Sequence, residues 1–184
     1  MKRRIFILSL LAACLAMLAA GTLAYYTSEG TAHNVITTGG IGIELHEWAD
    51  EAKTEPFEDL TGVMPGVSAT KIAEVENTGA SEAWIRVLVE KKVTLSDGSS
   101  VETDLISLDI NDKAWTRGTD GYYYYNKALA PGETTEPIFT AVTFAPEMGN
   151  EYQNSTATVD VTAQAVQTAN NGDSATAATG WPKA

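Results

Sequence analysis

The sequence predicts an all-β protein, a single-domain antiparallel β-sandwich of the jelly-roll or immunoglobulin-like kind, behind an export leader. Three observations predict it. Apolar residues alternate with polar ones in several short segments, Gly, Pro, Asn and Asp separate those segments, and no stretch after residue 24 carries a sustained helical period. Parallel sheets need crossover helices between strands, so antiparallel pairing is expected.

Lys2-Arg3-Arg4 forms a positive start, Ile5 to Ala20 an apolar run, and Gly21-Thr22-Leu23-Ala24 places small residues where a signal peptidase reads. Residues 1–24 therefore read as a signal peptide cut between Ala24 and Tyr25. Two other readings compete for this segment. Leu11-Ala12-Ala13-Cys14 has the form of a lipobox that would place a lipid on Cys14, and Ile5 to Ala24 is long enough for an uncleaved membrane anchor.

Cleavage removes 24 of the 184 residues, three of the 12 bases and none of the 24 acids, so the remaining 160 residues carry nine bases and a net charge of −15. That length suits one domain with a real core. The charge repels phosphate and anionic lipid, and no local run of Lys and Arg reverses it, so nucleic acid is excluded as a partner and no stable membrane insertion is expected after cleavage. The only cysteine, Cys14, leaves with the leader, which takes disulfides, thiolate metal sites and cysteine catalysis with it.

Residues 25–40 read as an N-terminal strand and hinge, with Thr31 to Thr37 extended and Thr37-Thr38-Gly39-Gly40 permissive. The sandwich domain is expected over 41–167. Ile41, Ile43 and Leu45 alternate with Gly42, Glu44 and His46, Ile85, Val87 and Val89 with Arg86, Leu88 and Glu90, and Val159, Val161, Ala163 and Ala165 with Asp160, Thr162 and Gln164. Weaker strands are expected at Thr70 to Glu76, Val101 to Ile106, Gly121 to Lys127 and Pro137 to Phe144. Met64-Pro65-Gly66, Asn77-Thr78-Gly79, Asp120-Gly121 and Pro131-Gly132 supply turns, and Ser96-Asp97-Gly98 signals a hairpin. Thr168 to Ala184 is rich in Ala, Thr, Asn and Gly and reads as a disordered tail, in which Trp181-Pro182 could dock on the domain or on a partner, or stand idle.

Catalytic constellations are scarce. His46-Glu47-Trp48-Ala49-Asp50 lacks the second histidine that a zinc hydrolase places one helical turn on, and His46 falls on the polar face of a strand, as a solvated side chain would. No nucleophile elbow, phosphate loop or dinucleotide fingerprint occurs. Asp109-Ile110-Asn111-Asp112 offers oxygen ligands for calcium but without the Gly and closing Glu of an EF-hand loop, and an Asx-rich turn accounts for it. The expectation is a non-enzyme with no metal and no cofactor.

Tyr122-Tyr123-Tyr124-Tyr125 stands apart. On a strand its members point alternately to opposite faces, so two can enter the core while two line a surface. A packed aromatic cluster and a ligand platform both fit, and Trp84 and Trp115 share that ambiguity. Tyr122, Tyr123, Tyr124, Tyr125 and Trp181 are the candidate surface contacts.

Gly21 to Ser28 followed by Asn34-Val35-Ile36-Thr37-Thr38-Gly39 resembles the signal-peptide junction and first strand of the TasA/camelysin group of Gram-positive exported proteins, which a SipW-type signal peptidase processes. Met64-Pro65-Gly66, Val75 to Gly79 and Ala83 to Val87 are similar to that group's turns and following strand. Trp115 to Phe144 and Val161 to Gln167 look like a module of related clostridial exported proteins, so the likeness spans most of the chain.

The resemblance implies a secreted jelly-roll subunit of biofilm matrix fibres, with itself and other matrix proteins as partners and a signal peptidase as a partner in export. The N-terminal strand of one subunit, with Tyr25, Tyr26, Thr27, Val35 and Ile36, would complete the sheet of the next. Such a head-to-tail contact does not close and so grows a filament. Pairing of the same strand within its own domain would give a monomer. The mature domain is smaller than the well-known fibre formers. A monomeric surface module for carbohydrate or protein is the alternative, and a camelysin-like metallopeptidase activity is not carried over because no zinc motif is present.

Overall fold

Period-two burial is what organises the molecule. Val159, Val161, Ala163 and Ala165 are all buried, as are Ile85 and Val87 on the neighbouring strand and Ile41, Ile43 and Leu45 near the start of the domain. The computed structural model describes residues 34–37, 41–58, 65–101, 104–149, 152 and 155–182. The chain divides into two units, 1–31 and 32–184, and all described residues belong to the second. Ala24 and Tyr25 at the cleavage point, Tyr25, Tyr26 and Thr27 of the assembly strand, Cys14, His33, the 38–40 hinge and Met64 lie outside the described residues.

Among the described residues ten strands form two sheets: β1 Asn34–Thr37, β2 Glu44–Trp48, β3 Ser68–Glu76, β4 Ala83–Thr94, β5 Ser100–Val101, β6 Ile106–Leu108, β7 Trp115–Arg117, β8 Tyr123–Tyr125, β9 Phe139–Phe144 and β10 Thr156–Gln167. The first sheet runs β1-β10-β4-β8-β7, with β5 pairing the far end of β4, and the second runs β2-β3-β9-β6. Every pairing is antiparallel except β1 on β10, which is parallel with Asn34 opposite Thr162 and Thr37 opposite Ala165. The fold is all-β, as the alternation predicts.

One continuous core takes residues from both sheets, among them Leu45, Val75, Phe139 and Val142 from the second and Ile85, Val87, Trp115 and Ala163 from the first. The expected strand at Val101 to Ile106 is split, because Ser100–Val101 pairs with β4 while Ile106–Leu108 joins the other sheet. A single run thus crosses between layers to keep Ile106 buried. Strand β7 is too short to leave a period in the sequence, and it forms because Trp115 packs against Tyr125, ring centroids 5.0 Å apart.

The turn signals do as expected where they are described. Gly98 takes a left-handed φ of 85° in the β4–β5 hairpin, where Asp97 accepts the backbone and hydroxyl hydrogens of Ser99. Asn77 is fully buried and holds a junction of loops. Its Nδ2 donates to the carbonyls of Ser81 and Leu129, its Oδ1 accepts from the Gly79 N–H, and its backbone N–H and C=O pair with Glu133 and Gly132. Gly79 has to be glycine, since a Cβ there would sit 2.7 Å from the Gly42 nitrogen.

Residues 168–182 correct the expectation of a disordered tail. They fold back as a strap across the outer face of the first sheet, with Ala175 and Ala178 buried against Trp84, Tyr124 and Val166. Asn171 closes the strap on itself. Its Oδ1 accepts from the Thr179 N–H and its Nδ2 donates to the carbonyls of Gln167 and Thr179. Composition predicts disorder from the lack of large apolar residues, but small alanines lie close against a flat sheet and need only one aromatic anchor.

Candidate functional site

That anchor, Trp181, seats on a cation, Arg86. Gln164, Arg86 and Tyr124 are direct cross-strand neighbours on β10, β4 and β8, so their side chains form one row on the outer face. Arg86 is 8% exposed. Its Nε donates to Gln164 Oε1 at 2.9 Å and its Nη1 to the Tyr124 hydroxyl at 3.1 Å and to Asp120 Oδ2 at 3.3 Å. Tyr124 in turn donates to Asp120 at 2.8 Å. The guanidinium lies between two rings, 3.9 Å from the Tyr122 centroid and 4.6 Å from that of Trp181.

Burial first, then the Asp120 carboxylate, push the Tyr124 hydroxyl above its ordinary value, and the Arg86 guanidinium opposes them. The phenol stays protonated and keeps donating. Trp181 meets the edge of Tyr124 at 5.8 Å and its Nε1 donates to Ala178, while Trp84 Nε1 donates to Asn171 of the strap. The arrangement gives Arg86 three hydrogen bonds and two ring faces and clamps the strap to the sheet.

The tyrosine run therefore divides as period two requires. Tyr122 and Tyr124 belong to the outer cluster. Tyr123 and Tyr125 pack against the central core, where Tyr125 meets Trp115 and accepts the Glu136 N–H. Of the candidate contacts, Tyr122, Tyr124 and Trp181 are brought together, Tyr125 is withdrawn into the core, and Tyr123 faces the opposite side beside Arg117. Arg86, Asp120 and Gln164 were not singled out by sequence reasoning. Arg86 and Gln164 sit at polar positions of alternating strands, and nothing local signals that a strap covers them.

The second sheet carries its own polar cluster. Lys71, 1% exposed, pairs with Glu47 at 2.7 Å and lies 4.2 Å from the Phe57 centroid. On the other face Glu74 accepts from Trp48 Nε1 and from Lys53, and Glu76 contacts His46 Nε2 at 2.9 Å. His46 is half-buried and stacked on Trp48 rather than simply solvated. At the calcium candidate, Asp109 accepts the backbone N–H groups of Thr140 and Ala141 and the Thr140 hydroxyl, so its carboxylate ties down the start of β9. Among the described residues no three His, Cys, Asp or Glu side chains converge as a metal site, and no helix is long and apolar enough to cross a membrane.

Comparison with protein-family models, curated proteins and solved structures finds no match. The likeness of the turns and strands to the TasA/camelysin group rests on those motifs alone.

Proposed function

We propose that the chain is a secreted structural subunit of an extracellular matrix fibre, assembled by exchange of its N-terminal strand between copies. The observation that carries this reading is the edge of the first sheet. Strand β10 is paired along its whole length with β4, yet on its other side β1 covers only Thr162–Ala165. Among the described residues Thr156–Val161 has no strand beside it there, and an open edge takes up an added strand through main-chain hydrogen bonds. In β1, Val35 and Ile36 stand opposite Ala163 and Gln164 through a pairing only four residues long. So short a parallel contact is readily exchanged for the same contact with another copy.

In this reading the two sheets are the halves of a jelly-roll-like sandwich, the leader directs export and is cut before Tyr25, and the working location is the extracellular matrix or cell surface. Partners are further copies and other matrix proteins. The test is negative-stain electron microscopy of the secreted protein with its native N-terminus beside the same protein lacking residues 25–36. Filaments from the first alone support the reading, and discrete particles from both, across acidic pH and added calcium, refute it.

A further inference from the structure

The two sheets part along one side of the domain. Strand β8 ends opposite Val87 and β5 begins opposite Val93, so Leu88–Lys92 has no strand on that side among the described residues. Across the opening stands β6, the edge of the second sheet, where Lys91 Nζ donates to the Ile106 carbonyl at 2.6 Å. An open cleft of about 430 Å³ remains, within the usual size of small-ligand sites. Val89, Leu108 and Ile110 line it with apolar surface, Tyr123 lends an aromatic ring, and Lys91, Arg117 and Asp104 supply charge.

Among the described residues the cations divide into paired and unpaired, and Lys92 and Lys113 are unpaired like the two in this cleft. Lys53, Lys71, Arg86 and Lys127 each lie within ion-pair distance of a carboxylate. Lys91 and Arg117 make no ion pair among the described residues. Arg117 stands opposite Tyr123 in the β7–β8 register with its guanidinium 5.7 Å from that ring. Two cations that make no ion pair among the described residues thus share this cleft with one lining carboxylate, Asp104, in a chain with 24 acids and 12 bases. At physiological salt the distant acids are screened beyond about 8 Å, so a bound anion feels the two cations first.

We propose that this cleft binds the uronic acid units of an acidic polysaccharide. The planar guanidinium of Arg117 takes a carboxylate through two N–H donors, which a point charge cannot match. The Tyr123 ring and apolar lining suit the C–H face of a pyranose, and Asp104 accepts from its hydroxyls. The cleft lies on the opposite side of β4 from β10 and β1, so its chemistry is independent of strand exchange.

Fluorescence anisotropy of a labelled galacturonate tetrasaccharide, and separately a mannuronate one, with the full secreted protein tests this directly. Saturable binding to one or both is expected. Arg117→Ala should weaken it at least about tenfold, Arg117→Lys less, and Lys91→Met measurably, with unchanged circular dichroism and with Lys113→Ala as a silent control. The methyl-esterified tetrasaccharide should not compete. The inference is overturned if neither uronate saturates, if Arg117→Ala and Lys91→Met both bind normally, or if the ester or an oligoglutamate competes as well as the uronate. Filament formation scored in parallel keeps a failure here distinct from a failure of the fibre reading.

Discussion

Arg86 lies against the face of Tyr122, its guanidinium carbon 3.9 Å from the ring centroid, and Trp181 covers the same cation from the strap at 4.6 Å. One buried cation on β4 therefore fastens the end of the chain to the sheet. Trp181→Ala should lower stability by about 1–3 kcal/mol, combining lost cation–π contact with lost aromatic burial. The sharper readout is limited proteolysis: cleavage within 168–182 should accelerate well before the sheet unfolds. A strap that stays equally protected in the variant would refute the clamp.

Arg86→Lys keeps the charge but not the fork. It strands the buried Gln164 acceptor, removes one of the donors to Asp120 and loses the flat contact with Tyr122, at an expected cost of about 2–4 kcal/mol in urea unfolding. Arg86→Met should cost at least as much. Equal stability of all three proteins would show that the row across β10, β4 and β8 is not structural.

Asn77→Ala removes two donors and one acceptor from a fully buried junction, and about 2–4 kcal/mol should be lost. Gly79→Ala should be similarly damaging because the added carbon meets the Gly42 backbone, which cannot yield as a side chain would. Thermal melts of the two variants check both, and a melt within a degree or so of the parent would contradict the assignment.

Lys71 and Glu47 form a buried pair beneath Phe57. Lys71→Met alone should cost about 3–5 kcal/mol, since it takes the cation away from a buried carboxylate. The double change Lys71→Met with Glu47→Leu should recover most of that loss. A double variant as unstable as the single one would mean that the pair does more than balance its own charges.

Burial of Asp109 opposes its ionisation, but the Thr140 hydroxyl and the N–H groups of Ala141 and Thr140 together outweigh it and hold the carboxyl below its ordinary value of 3.8. A carboxyl depressed in the folded state contributes stability above its unfolded value and loses it as pH falls through the folded one. Asp109→Asn should therefore be less stable than the parent at neutral pH, with the gap closing below about pH 4. Parallel stability curves from neutral to acid pH would sink this account.

The strand content, most turns and the division of the tyrosine run were legible in the sequence, because alternation along a strand is a local property that burial on one face imposes. Strand β7, the split of 101–108 between two sheets and the folded strap were not, since each depends on a surface that another part of the chain supplies. Sequence also reads no reversal of the negative charge, because Lys91 and Arg117 are 26 positions apart. Strand pairing alone brings them to one cleft. In the same way Arg86 and Gln164, 78 residues apart, are ordinary polar positions along the chain and become the centre of the outer cluster only in register. Local periodicity determined which faces the strands present, and long-range pairing, where the hydrogen-bonded edges meet, decided which side chains share them.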